Sequence, residues 1–92
     1  MCVSRNLVGP RVRTLREQRG FTQAVLAARC NLQGWNLSRE TLAKIESQVR
    51  WVSDCELLCL AQALHTPLES LLPQPGEASR VMKTFFRNLE QR

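Results

Sequence analysis

The chain contains no tyrosine, only three Phe and two Trp, and a single His. Almost no β-branched alternation accompanies these few aromatics, so a half-buried β-sheet has little to build its strands from. Gly and Pro number four each and fall between periodic segments rather than inside them. That pattern favours an all-α fold. No apolar run approaches the ~18–20 residues a membrane span needs, and no secretory leader pattern stands at the N-terminus. The four Cys (Cys2, Cys30, Cys55, Cys59) include no C-x-x-C pair. A secreted disulfide scaffold therefore lacks support, and the chain is expected to be soluble and cytoplasmic.

What is present fits one small domain. Ninety-two residues with 43% hydrophobic content can bury a compact helical core, though not a large one. Net charge is +5, unevenly placed. Residues 1–50 carry nine Lys/Arg against three Asp/Glu, whereas residues 51–92 carry four against five. A basic half followed by a near-neutral half is the footprint of a domain that turns one face to a polyanion.

Residues 1–8 lack periodicity and are expected to be a flexible N-terminus. Gly9-Pro10 reads as a helix start, with Pro10 at the first helical position, Val12 and Leu15 inward, and Arg11, Arg13 and Arg19 toward solvent. Gly20 follows as a left-handed C-cap. Thr22 caps a second helix running to about Asn31, with Val25, Leu26 and Cys30 as its apolar stripe. Residues 32–37 read as a turn, and Ser38 caps a third helix with Leu42 and Ile45 inward. Ser53 and Glu56 form a capping box for a fourth helix, in which Leu57, Leu58, Leu60, Ala61 and Leu64 are largely core. Thr66 and Glu69 suggest another box for a short fifth helix. Pro73-Gln74-Pro75-Gly76 reads as a linker, and Val81, Phe85 and Leu89, with Met82 and Phe86 beside them, mark a sixth amphipathic helix over 77–91. The expected organisation is a helical domain over 9–73, then a linker and C-terminal helix over 74–92.

The third helix carries the chemistry. A helix that reads bases presents polar side chains from its first turns. Arg39 suits guanine acceptors or a phosphate; Glu40 suits a cytosine amino group, or repels wrong registers. Thr41 suits a thymine methyl or a phosphate, and Lys44 shares the face of Glu40 and Thr41. Thr22 and Gln23, at the start of the second helix, and Ser38, at the start of the third, are expected near phosphates, where free amides and the helix dipole attract anions.

Several fragments together resemble the Xre/Cro type of helix-turn-helix domain, the lambda-repressor-like fold of bacterial and phage regulators. They are Leu15-Arg16-Glu17 up to Gly20-Phe21-Thr22-Gln23, then Leu26-Ala27, Ser38-Arg39-Glu40-Thr41-Leu42 to Lys44-Ile45-Glu46, and Glu56-Leu57-Leu58 through Leu60-Ala61, Ala63-Leu64 and Leu68. The match spans about Gly9 to Leu72. It implies a five-helix DNA-binding domain, here with an additional C-terminal helix. The stretch from Cys30 to Ser38 is longer than the common tight turn and resembles a long-turn subgroup, with Trp35 and Leu37 expected to lid the core and Trp51 to pack. The resemblance also implies a buried ion pair between Arg16 and Glu46, and phosphate contacts from Gln48, Arg50 and the amides around Val49.

Other classes remain in view. Cys55, Cys59 and His65 raise a metal or redox site, although one His makes a poor ligand set. Residues 77–91 raise a protein-interaction module such as an antitoxin or adaptor; self-association, partner binding and simple packing all fit Val81–Leu89. Catalysis has no nucleophile set or phosphate-binding glycine loop, so an enzyme is not expected. The expectation is a sequence-specific transcriptional regulator, a repressor, binding double-stranded DNA as a homodimer without a cofactor or bound metal, cytoplasmic and bacterial or phage-encoded. A chain of this size leaves no room for a fused ligand-binding domain, so a signal is expected through a partner or the last helix.

Overall fold

The computed structural model describes residues 4–90. Five α-helices follow in order: α1 (Gly9–Gln18), α2 (Gln23–Leu32), α3 (Arg39–Glu46), α4 (Asp54–Ala63) and α5 (Pro75–Glu90), with a 3-10 turn at Leu68–Leu71 between the last two. Among the described residues there is no strand, and no helix is long and apolar enough to cross a membrane.

The helix starts lie where the hydroxyl residues put them. Thr22 accepts from the Val25 amide, and Ser38 from the Thr41 amide, each at 3.1 Å. Ser53 and Glu56 close the expected capping box from both sides. Helices α1 to α4 all end in the same way. In α1, the Phe21 amide bonds back to the Arg16 carbonyl and the Gly20 amide to that of Glu17, each at 3.0 Å. The residue that turns the chain is Gly20 after α1 and Gly34 after α2, but Gln48 (φ 68°) after α3 and His65 (φ 53°) after α4. A side chain in that left-handed region costs ~1–2 kcal/mol, so the bonds around Gln48 and His65 must hold it there.

The core gathers Val12 of α1, Leu26 and Cys30 of α2, Leu42 and Ile45 of α3, Leu60 of α4, with Leu64 and Leu71, all fully buried. α3 packs on both α1 and α2, while α4 packs on α2 and on the 3-10 turn. The α1–α3 approach is backbone to backbone: a Cβ on Gly9 would stand 2.3 Å from the Ile45 carbonyl oxygen. Only glycine fits there.

Several expectations need correction. Val25 and Leu58 are 43% and 49% exposed, because Leu26, Ala27 and Leu60, Ala61 already fill the inward stripes. α1 begins one residue before Pro10, and Leu32 belongs to α2. No capping box forms at Thr66; the 3-10 turn has no side-chain cap, and only Leu71 of it is buried. The Pro73–Gly76 stretch is not all linker, since α5 starts at Pro75, a favourable first-turn proline. Gln91 lies outside the described residues.

The N-terminal stretch departs most. Of residues 1–8, the first three lie outside the described residues, but Ser4–Val8 is pinned to the domain rather than loose. Asn6 is buried, and its side-chain amide donates to the carbonyls of Ile45 (3.1 Å) and Arg50 (2.8 Å). Its own Oδ1 accepts from the Gly9 amide at 2.9 Å. α5 lies over this segment with no buried residue, its Phe85 ring meeting Trp51 edge-on at 6.2 Å.

Candidate nucleic-acid interface

The connection from α2 to α3 is long but firmly built. Gly34 adopts φ 100° to leave α2, and the Trp35 amide returns to the Cys30 carbonyl at 3.2 Å. Asn31 then staples the loop, donating to the carbonyls of both Ala27 and Leu37 at 2.8 Å. Leu37 is buried and Trp35 packs partly against the core, as lids over α3 should. The start of α3 is thus positioned by a hydrogen-bonded loop on a buried anchor.

From that start, Arg39 and Glu40 project into solvent, their charged groups 4.0 Å apart and their side chains 62% and 73% exposed. Exposed pairs at that separation contribute little, so both side chains are free to reach a partner. Lys44 is exposed one turn on. Thr41 differs: it is half-buried, and its hydroxyl accepts from Ser38 Oγ at 2.9 Å. Thr41 and Lys44 line a cleft with Arg5, Val49, Arg50 and Trp51.

Behind the face stands the ion pair. Arg16 Nε lies 2.7 Å from Glu46 Oε2 and its Nη2 3.1 Å from Oε1, while Nη1 donates to the Phe21 carbonyl at 2.8 Å. Gln23 adds a donation to Glu46 Oε1 at 3.1 Å. One carboxylate thereby ties α1, α2 and the end of α3 together. The hydrogen bonds with Glu46 hold the Arg16 guanidinium pKa above its ordinary value.

Of the five side chains expected at phosphates, three are turned inward. Gln23 braces Glu46, and Gln48 donates to the Asn6 carbonyl at 2.9 Å. Arg50 makes a bidentate pair with Glu56, at 3.0 and 3.1 Å, and donates to the Trp51 carbonyl. The Arg50 guanidinium, with the Ser53 amide, pulls the Glu56 carboxyl below its ordinary pKa. Ser38 uses its hydroxyl on the cap. What stays open at α2 is exposed Thr22 and the first amides, Gln23 and Ala24, which have no intrahelical acceptor.

The basic surplus is likewise partly internal. Arg11 and Arg19, expected in solvent, donate to the carbonyls of Ser70 (3.1 Å) and Leu64 (2.8 Å). Arg29 donates to the Ala63 carbonyl, contacts the His65 ring and lies over the Phe21 ring. Arg19 and Arg29 therefore cap the C-terminus of α4, where cations are favoured. Composition alone gives no sign of this; a pair of arginines facing a helix end would be the signal to seek. Arg5, missed in the sequence, joins the outward cations Arg39 and Lys44.

Among the described residues the cysteines do not assemble as a site. Cys55 is exposed, whereas Cys59 is half-buried and turns its Sγ toward the Cys30 carbonyl at 3.8 Å. Burial pushes the Cys30 thiol up to about 12 and raises that of Cys59 as well. Among the described residues no three His, Cys, Asp or Glu side chains gather as metal ligands.

Comparison with known proteins bears on the fold and the family. No curated protein matches the chain. A solved structure, that of the hypothetical transcription factor NHTF from Neisseria, superposes with a TM-score of 0.66 at 24% identity, covering 85% of this chain and 84% of that one. At that identity the likeness speaks for the fold alone. The family model described as helix-turn-helix matches residues 12–71, from the middle of α1 to the end of the 3-10 turn. The chain belongs to the helix-turn-helix family of DNA-binding domains, in its Xre, lambda-repressor-like form.

Proposed function

We propose that the protein is a sequence-specific DNA-binding transcriptional regulator that enters the major groove with the N-terminal half of α3. The observation that carries this is the outward set Arg39, Glu40 and Lys44 on a short helix whose start and rear are both fixed. Such a face combines a guanine-reading side chain with a cytosine acceptor and a cation on one flank. Thr41 borders it through its methyl group.

The grip on the backbone comes from the N-terminus of α2, Thr22 with the amides of Gln23 and Ala24, and from Arg5 and Lys44 beside α3. Ser38, Gln23, Gln48 and Arg50 act chiefly by holding the reader in place; Arg50 reaches a phosphate only by sharing its charge with Glu56. The regulator acts in the bacterial cytoplasm as a repressor and a homodimer, on two-fold or repeated half-sites. It uses no cofactor, and no catalytic set contributes.

Selection of bound sequences from a random duplex library, followed by footprinting, tests this. Enrichment of one motif protected over a single helical turn per half-site is expected. A library with no enriched sequence at moderate salt would instead favour an interaction module. Exposed Met82 and Phe86 on α5, at 46% and 56%, are what favour that second reading.

A further inference from the structure

DNA binding does not account for the cavity between α5 and the body of the domain. It measures about 370 Å³, with Val52, Leu57 and Leu72 on one wall and Met82, Phe85 and Phe86 on the other. Small-molecule sites occupy roughly 300–1,000 Å³ and share this mainly apolar and aromatic lining with a few polar groups. Here the polar side chains are Arg5, Asn6 and Trp51, the last through its indole N–H. Asn6 has both ends of its amide engaged with the backbone. Arg5 is exposed, and among the described residues its guanidinium has neither a hydrogen bond nor an ion pair. Arg5 is the one charged side chain among the residues that line the cavity.

We propose that this cavity binds a small organic anion with an aromatic or branched apolar body, its acid group on Arg5. α5 supplies one wall of the cavity, and none of its residues is buried. The charge on Arg5 selects an anion over a neutral molecule of the same shape.

Occupancy reaches the DNA face directly. Arg5 also lines the cleft shared by Thr41, Lys44 and Arg50, and its backbone amide donates to the Gln48 carbonyl at 2.8 Å. An anion on Arg5 cancels a cation beside α3 and so weakens the hold on DNA. This consequence rests on the DNA-binding function proposed above; the binding site itself does not.

The test is a fluorescence titration of the full chain with anilinonaphthalene sulfonate, an anion on an aromatic body, against its neutral parent phenylnaphthylamine. Saturable one-to-one binding of the anion is expected. Arg5→Gln should weaken it about tenfold, as for one charge-assisted contact, while the neutral probe binds as before. Leu72→Trp, checked for retained helix content by circular dichroism, should fill the cavity and exclude both probes. Binding that never saturates, or that both variants leave unchanged, overturns the site. In a second arm a labelled duplex is followed by anisotropy as the anionic probe is added. Release of the duplex is expected, and a duplex still bound at saturating probe overturns the coupling. If no duplex binds even without probe, the DNA-binding function fails and the titration alone decides the cavity.

Discussion

The side chain of Asn6 donates to the backbone carbonyl of Arg50 across 2.8 Å, joining the segment before α1 to the one that follows α3. The same amide also reaches Ile45, and around it the Arg5 amide donates to Gln48 O while Gln48 Nε2 donates to Asn6 O. These bonds enclose Gln48 in its left-handed conformation and fix the C-terminal end of the proposed reader. A residue in an aperiodic stretch thus helps to set the geometry of the proposed recognition helix.

Replacing Asn6 with alanine leaves the buried Gly9 amide without its acceptor and the Arg50 carbonyl without its donor, while the Ile45 carbonyl keeps the Gln48 amide. Each such group costs about 1–3 kcal/mol. A 92-residue domain loses roughly 4–8 °C of Tm per kcal/mol, so thermal melts should fall by about 10 °C or more. Asn6→Asp should be no better, since it keeps the acceptor for Gly9 but points a carboxylate at two carbonyls. A melt within a degree or two of the parent's, about the effect of an ordinary surface substitution, would refute this role.

Arg16→Ala strands Glu46 almost without water, at 4% side-chain exposure. Removing one partner of a buried pair costs about 3–5 kcal/mol, enough to unfold the domain or slacken α3. Arg16→Lys should also fail, because a single ammonium cannot serve both Glu46 oxygens and the Phe21 carbonyl. The double variant Arg16→Met with Glu46→Leu should recover much of the loss. Urea denaturation of the four proteins checks the order.

Acid should loosen the start of α4. The Glu56 carboxyl is held below its ordinary pKa by Arg50 first, then by the Ser53 amide. A carboxyl lowered in the folded state stabilises fully above its unfolded pKa, near 4.5, and that contribution is lost as pH falls through the folded value. Stability should therefore drop below about pH 4.5, and Glu56→Gln should flatten part of that drop. Arg50 is one-third exposed, so the effect is small, at most about 1 kcal/mol. Chemical denaturation of both proteins between pH 3 and 7 checks it.

Local chemistry was legible in the residues. Thr22, Ser38 and Ser53 cap because their hydroxyls reach an amide three positions on, and the inward positions of α3 follow from helical spacing. The Arg16–Glu46 pairing came with the family resemblance and not from spacing. What escaped depends on distant partners. Asn6 bonds to residues 39 and 44 positions away, and no local pattern marks such a residue. The basic half likewise looked like one polyanion-facing surface until Arg11, Arg16, Arg19, Arg29 and Arg50 met carbonyls and carboxylates elsewhere in the fold. The 3-10 turn replaced a helix because four residues between Pro67 and Leu72 cannot close a second turn.

The central claim, that the outward start of α3 reads bases, is tested most directly with Arg39→Ala. Its affinity for the selected duplex and for a scrambled one is compared with that of the unmodified protein at several salt concentrations. Arg39 is solvent-exposed, so melting should not change. The preference for the selected duplex should shrink by about 1–3 kcal/mol, the contribution of one bidentate base contact. A variant that keeps the full preference would contradict a reader built on this face.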